Sequence, residues 1–156
     1  MSDDLRDLYQ ETILEHARKP RNFRTQAAPG VRTARGFNRL CGDRLQVYLD
    51  VRDGTVRDAS FEGSGCAIST ASASMMTQSV KGKTAGEAEA LFRRFHELVT
   101  VGEHVSGCDD DVDLGKLEVF AGVREFPVRV KCASLAWHTM HAALEAENDA
   151  VVSTEE

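Results

Sequence analysis

Cys41 and Asp43 place a thiol and a carboxyl two residues apart, with Gly42 between them. Gly42 lacks a Cβ, so the backbone can turn tightly there and send both side chains to one place. A thiolate and a carboxylate are both zinc ligands, and a closed zinc site takes four. Cys66 and Cys132 are the obvious residues to complete it. Three sulfurs and one carboxylate oxygen make a tetrahedral set that leaves net negative charge on a divalent ion. Arg129 and Lys131, beside Cys132, could offset that charge; simple solvent exposure explains them equally well. No Cys-x-x-Cys pair is present, so spacing alone leaves ordinary buried thiols as good an account as a metal site. Gly42, Gly63 and Gly65 favour backbone shaped around a site. Zinc has no redox chemistry, and a closed site is ordinarily structural, so function would require a ligand to leave.

Other reactive types read more simply. Cys108 lies in Gly107-Cys108-Asp109-Asp110-Asp111, where carboxylates raise a thiol's pKa, and is taken as an incidental loop thiol. The acidic run 109–113 lacks the glycine and distal glutamate of a calcium loop. His16 reads as a partly buried residue or one placed at a helix C-terminus. His138 and His141, three apart, share a helix face at the surface or partly in the core. Met75 and Met76 read as gap-filling core.

The elements that position these residues follow from periodicity. Residues 3–18 read as a helix, with Leu5, Leu8, Tyr9, Thr12, Ile13, His16 and Ala17 on one face, ended by Lys19-Pro20-Arg21-Asn22. Residues 23–30 are a loop. Residues 31–38 are a weak strand whose arginines at 32 and 35 suggest a sheet edge. Leu45, Val47, Leu49 and Val51 alternate with polar residues on a second strand. Asp53-Gly54 forms a hairpin turn. The return strand carries Val56, Ala59 and Phe61, whose uneven spacing suggests a bulge. The expected sheet is therefore a three-stranded antiparallel meander, with the Cys41–Asp43 turn at one end. Cys66 should open a small-residue helix running to about Val80. Thr84-Ala85-Gly86-Glu87 fits a capping box for the next helix. An acidic loop covers 100–113. A short helix from Leu114 to Ala121, capped by Asp113, should end at Gly122. Residues 126–131 read as a connector, and Cys132 as the start of the last helix. Helix N-termini at Cys66 and Cys132 would favour thiolate.

At 156 residues, one domain over 1–147 and a frayed polar tail over 148–156 are expected. The net charge of −6 argues against general nucleic-acid binding. The apolar runs are too short to span a membrane. Met1 to Arg6 is acidic and polar, unlike a secretory signal. The chain reads as cytoplasmic, where cysteines matching a ligand pattern serve metal or catalysis more often than disulfides.

Several motifs together resemble the IscU/SufU superfamily of iron–sulfur assembly proteins. They are Leu8-Tyr9, Glu15-His16 through Lys19-Pro20-Arg21-Asn22, Cys41-Gly42-Asp43, Phe61-Glu62-Gly63-Ser64-Gly65-Cys66-Ala67-Ile68-Ser69 and Ala71-Ser72-Ala73-Ser74-Met75-Met76. The resemblance covers about residues 5–145 and implies an α+β fold, a three-stranded antiparallel sheet with helices packed on it. Lys131 stands where IscU-type scaffolds carry a histidine, and 103–127 fits the insert of SufU-type proteins. Arg39 departs from the family's Asn-Pro before the first cysteine. The resemblance implies zinc held by Cys41, Asp43, Cys66 and Cys132. It further implies a sulfurtransferase role: accepting persulfide sulfur from a SufS-type cysteine desulfurase on Cys41, for a downstream iron–sulfur assembly scaffold. In that family a histidine of the desulfurase replaces one cysteine at zinc, which opens the closed site. Two other readings are an IscU-like scaffold that builds a [2Fe–2S] cluster on the same residues and a structural zinc module that only binds partners.

Overall fold

Alternating apolar residues build the central sheet. In the computed structural model, which describes residues 3–25, 30–38, 42–100, 114–145 and 150–153, β1 (Val31–Asn38), β2 (Asp43–Arg52) and β3 (Thr55–Ser64) form the expected antiparallel meander. Asp53 and Gly54 both take positive φ at the β2–β3 turn, as a two-residue hairpin of this twist requires. The register slips between Asp50 and Val51, pairing Asp58 with Asp50 but Val56 with Val51, so the bulge is present. Leu45, Val47 and Leu49 of β2 are buried beside Phe61 of β3.

Two expectations about the sheet's margins are corrected. β1 is not an edge strand. A fourth strand, β4 (Ala150–Ser153), pairs parallel with it from Ala34↔Ala150 to Phe37↔Ser153, giving the order β3-β2-β1-β4. These four residues lie in the stretch that the sequence suggests is a frayed tail, and pair instead. Arg32 is accommodated inside the sheet because its guanidinium donates to the Leu144 carbonyl at 2.6 Å. At the other margin, Asn22–Arg24 runs beside β3. Phe61 N–H donates to Asn22 O, and Arg24 N–H donates to Phe61 O. The segment that stops the first helix thus also covers a sheet edge.

Helices cover one face of the sheet. α1 (Asp3–Arg18) ends as expected before Pro20. α2 (Ala67–Val80) is small-sided and mostly buried, so packing rather than propensity holds it. Several of its hydroxyls bond to carbonyls: Ser72 donates to Ala133 O, and Thr77 donates to Ser74 O. α3 (Ala85–Thr100) opens on the capping box, with Thr84 N–H bonded to Glu87 and Glu87 N–H to the Thr84 hydroxyl. Its buried face presents Ala88, Leu91, Phe95 and Val99, and Phe95 stacks on Trp137 at 4.8 Å.

The C-terminal helices differ from expectation. The short helix is a 3-10 segment, Gly115–Glu125, that passes through Gly122 instead of ending there. Gly122 does not take the positive φ of a helix-ending glycine. The proposed cap Asp113 and the 100–113 loop fall outside the described residues, apart from Thr100. α4 spans Pro127–Glu145, so residues 127–131 are helix and Cys132 lies in its second turn. Proline suits the first helical position, where its fixed φ is right and no N–H is needed. α4 lies directly on β1: a Cβ built on Gly36 would fall 2.1 Å from Thr139 Oγ1. Among the described residues no helix is long and apolar enough to cross a membrane.

Candidate metal centre

The site sits where the β1–β2 turn meets the β3–α2 connection. Gly42 takes φ +71°, the turn its lack of a Cβ permits. Asp43 follows as the first residue of β2, opposite Asn38, and is 0% exposed. A buried carboxylate needs donors. Cys66 N–H supplies one, reaching Asp43 Oδ1 at 2.9 Å.

That contact depends on two glycines. A Cβ on Gly65 would lie 2.6 Å from Asp43 Oδ1. Gly63 has φ +142°, and a Cβ there would lie 2.0 Å from Arg44 O. Side chains at either position would push the β3–α2 connection away from the carboxylate.

Cys66 is the N-cap of α2, as expected. Its extended backbone turns its sulfur back to accept from Ser69 N–H at 3.4 Å. Cys132 reaches the same place from inside α4 and is 2% exposed. The ligand atoms of Asp43, Cys66 and Cys132 all lie within 4.8 Å of one another. Cys66 and Cys132 are free thiols. The Cys66 thiol is held below its ordinary value, at about 7. A hydrogen bond with Cys132 is the largest cause, and the Ser69 and Ile68 N–H groups add to it. Burial and the Asp43 carboxylate oppose them. Cys132 does not have the helix-start environment expected for it.

Zinc fits this donor set. Ligands around a tetrahedral zinc stand roughly 3.5 Å apart, so a closing of about 1 Å would bring these three into range. Cys41, which the sequence puts two residues before Asp43, lies outside the described residues, as does Cys108. Arg129 is exposed, with its guanidinium 4.9 Å above the Phe126 ring; Lys131 is half-buried. A surface cleft of about 630 Å³ reaches Gly42 and Asp43 between Arg35, Phe37, Arg44 and Glu62.

Sequence reasoning did not single out Ser69 or Asn38. Ser69 contributes only its backbone N–H, a role that Cys66's position three residues earlier could have suggested. Asn38 is fully buried opposite Asp43, and only the strand register reveals that.

His16 belongs to a separate polar contact. It is buried, and its Nδ1 lies 2.7 Å from Ser74 Oγ, which also accepts from Arg21 N–H. Burial, then the Arg21 charge, lowers its pKa.

A meander backed by helices, with two thiols and a carboxylate gathered at one sheet end, defines an α+β domain with a candidate metal-binding donor set. The chain belongs to the NifU-like N-terminal domain family, matched over residues 8–133, and so to the IscU/SufU/NifU proteins of iron–sulfur cluster assembly. It is 38% identical over 144 residues to the zinc-dependent sulfurtransferase SufU of Bacillus subtilis, covering 92% of this chain and 94% of that one. It is 36% identical over 146 residues to the iron–sulfur cluster assembly scaffold protein IscU of Streptococcus pyogenes, covering 94% and 88%. Among solved structures it is similar to a putative iron–sulfur cluster assembly scaffold protein for the SUF system from Fervidobacterium islandicum. The TM-score is 0.74 at 31% identity, covering 86% of this chain and 95% of that one.

Proposed function

We propose that this protein is a zinc-dependent sulfurtransferase that accepts persulfide sulfur from a SufS-type cysteine desulfurase in the cytoplasm. It would pass that sulfur to a downstream iron–sulfur assembly scaffold. The observation that carries the reading is the convergence of Asp43, Cys66 and Cys132, with Lys131 rather than histidine before the last cysteine. Similarity to a zinc-dependent sulfurtransferase over most of both chains supports it.

In this reading Cys41, Asp43, Cys66 and Cys132 hold zinc as one single-domain unit. Bound zinc keeps the cysteines as thiolates, the form that attacks sulfur. Asp43 is oriented by Cys66 N–H. Cys41 is the acceptor. Its thiolate attacks the outer sulfur of the desulfurase's cysteine persulfide. A new S–S bond forms on Cys41, the enzyme's S–S bond breaks, and the enzyme cysteine leaves as thiolate. The cleft beside Gly42 gives the turn an open side for the partner.

The test is desulfurase turnover of cysteine with the cognate enzyme, alone and with wild type, Cys41→Ala or zinc-stripped protein. Stimulation by wild type alone, with persulfide mapped to Cys41, is expected. No stimulation by folded, zinc-loaded wild type overturns the reading.

The second reading is a scaffold for a [2Fe–2S] cluster, favoured by relatives named IscU. Thiolates suit clusters, but Lys131 cannot supply an imidazole. Protein purified with one zinc and no visible absorption favours sulfur transfer. A reconstituted cluster that moves to an apo-acceptor favours the scaffold.

A further inference from the structure

α3 and α4 bring together a second set of ligand-bearing side chains, away from the cysteines. His141 and Glu145 stand one turn apart on α4, where i and i+4 side chains are neighbours. Glu89 faces them from α3. One ligand atom from each of Glu89, His141 and Glu145 lies within 4.8 Å of the others. His141 Nε2 and Glu145 Oε1 are 3.2 Å apart.

The imidazole is held in place. Its ring stacks on Phe92 at 4.8 Å with an interplanar angle of 13°. Phe92 is itself fixed by edge contact with His138 at 5.1 Å. Glu89 and His141 are half-buried, and only Glu145 is exposed. A solvated surface ion pair needs neither the fixed ring nor the third group from another helix. Ring fixation of this kind lowers the ordering cost of binding an ion.

We infer that Glu89, His141 and Glu145 form a second metal site, selective for a divalent first-row transition ion. One imidazole nitrogen and two carboxylate oxygens suit zinc, ferrous iron or cobalt. The absence of a thiolate disfavours copper(I), and the imidazole disfavours magnesium and calcium, which prefer all-oxygen ligands. Three protein ligands leave open positions for water. The site is independent of the cysteine centre: His141 lies nine residues beyond Cys132 on α4, about 13 Å along the helix axis, too far to share an ion.

The test uses full-length protein already carrying one equivalent of zinc, titrated with cobalt(II) by calorimetry and absorption. One further equivalent should bind, with the weak d–d bands of oxygen and nitrogen ligation and no sulfur-to-cobalt charge transfer. Glu89→Gln and His141→Ala should each weaken that binding at least tenfold. The surface control Glu118→Gln should leave it unchanged. Far-UV circular dichroism and retention of the first zinc establish that each variant is folded. Glu89→Gln leaves the Phe92 stack in place, so its loss of binding reports on the ligand set even where His141→Ala disturbs that stack. No second equivalent, or one that survives both substitutions in folded protein, overturns the proposal.

Discussion

Cys66 N–H is bonded to Asp43 Oδ1 at 2.9 Å, and Gly65, the residue before Cys66, has no space for a side chain against that same oxygen. One residue of the proposed metal site therefore orients another through its backbone, and a glycine makes the approach possible. Gly65→Ala would put a methyl group 2.6 Å from the carboxylate oxygen. The expected outcome is a loss of zinc affinity of about 10- to 100-fold, as for other groups that orient a ligand, with the fold retained. Chelator competition measures it. Wild-type affinity in Gly65→Ala would show that this contact does not position the ligand.

Asp43→Ala and Asp43→Asn separate two contributions of the same side chain. Asn retains an acceptor for Cys66 N–H but removes the charge; Ala removes both. Both variants should show altered zinc binding and impaired sulfur acceptance, with Ala the worse folded because it strands a half-buried N–H. Stoichiometric zinc and full desulfurase stimulation in both would remove Asp43 from the proposed ligand set.

Acid should destabilise the protein through His16. Its folded-state pKa is lowered from 6.5, first by burial and then by Arg21, so the folded state favours neutral imidazole. The stability it contributes is present above pH 6.5 and is lost as pH falls towards the lowered folded value. His138 is lowered in the same direction by burial, then by His96 and His141, and adds to the slope. Urea midpoints measured on zinc-loaded protein from pH 7.5 to 5 should fall. His16→Gln should flatten part of that fall while starting from a lower midpoint, because the Ser74 contact is altered. An unchanged slope in His16→Gln would assign the acid sensitivity elsewhere.

The legibility of this molecule in its sequence divides along local and long-range lines. α1, the Asp53-Gly54 turn, the bulge and the Thr84–Glu87 capping box each rest on residues within one or two turns of chain, and all were readable. Cys66 as a helix cap was readable for the same reason. Cys132 reads as a helix start because Phe126-Pro127 reads as a break, whereas proline at the first helical position begins the helix five residues earlier. β4 is only four residues long and finds its place by pairing with β1, a partner more than a hundred residues away. Glu89 beside His141 depends on α3 packing against α4, which no periodicity encodes. Residue type alone offers Asp43, Cys66 and Cys132 as candidate ligands; their convergence, and the space that Gly65 leaves beside Asp43, come only from the fold.

Gly36 and Thr139 give a test of the packing that carries Cys132 to the sheet. A Cβ on Gly36 would sit 2.1 Å from Thr139 Oγ1, 3.3 Å from Thr139 Cβ and 3.0 Å from Leu135 Cδ1. Thr139 is fully buried and its hydroxyl donates to Leu135 O at 2.7 Å, so it cannot swing away without breaking that bond. Gly36→Ala should therefore destabilise the fold by about 1–3 kcal/mol, the usual range for overpacking. Because α4 must then shift relative to β1, zinc affinity should fall as well. Removing the nearest obstacle should reverse part of both losses, so Gly36→Ala with Thr139→Ala should be more stable than the sum of the single changes predicts. Denaturant midpoints and chelator competition on the four proteins of this double-mutant cycle measure the coupling. Additive effects would mean that α4 does not rest on β1 at this pair, and that Cys132 is brought to Asp43 by other contacts.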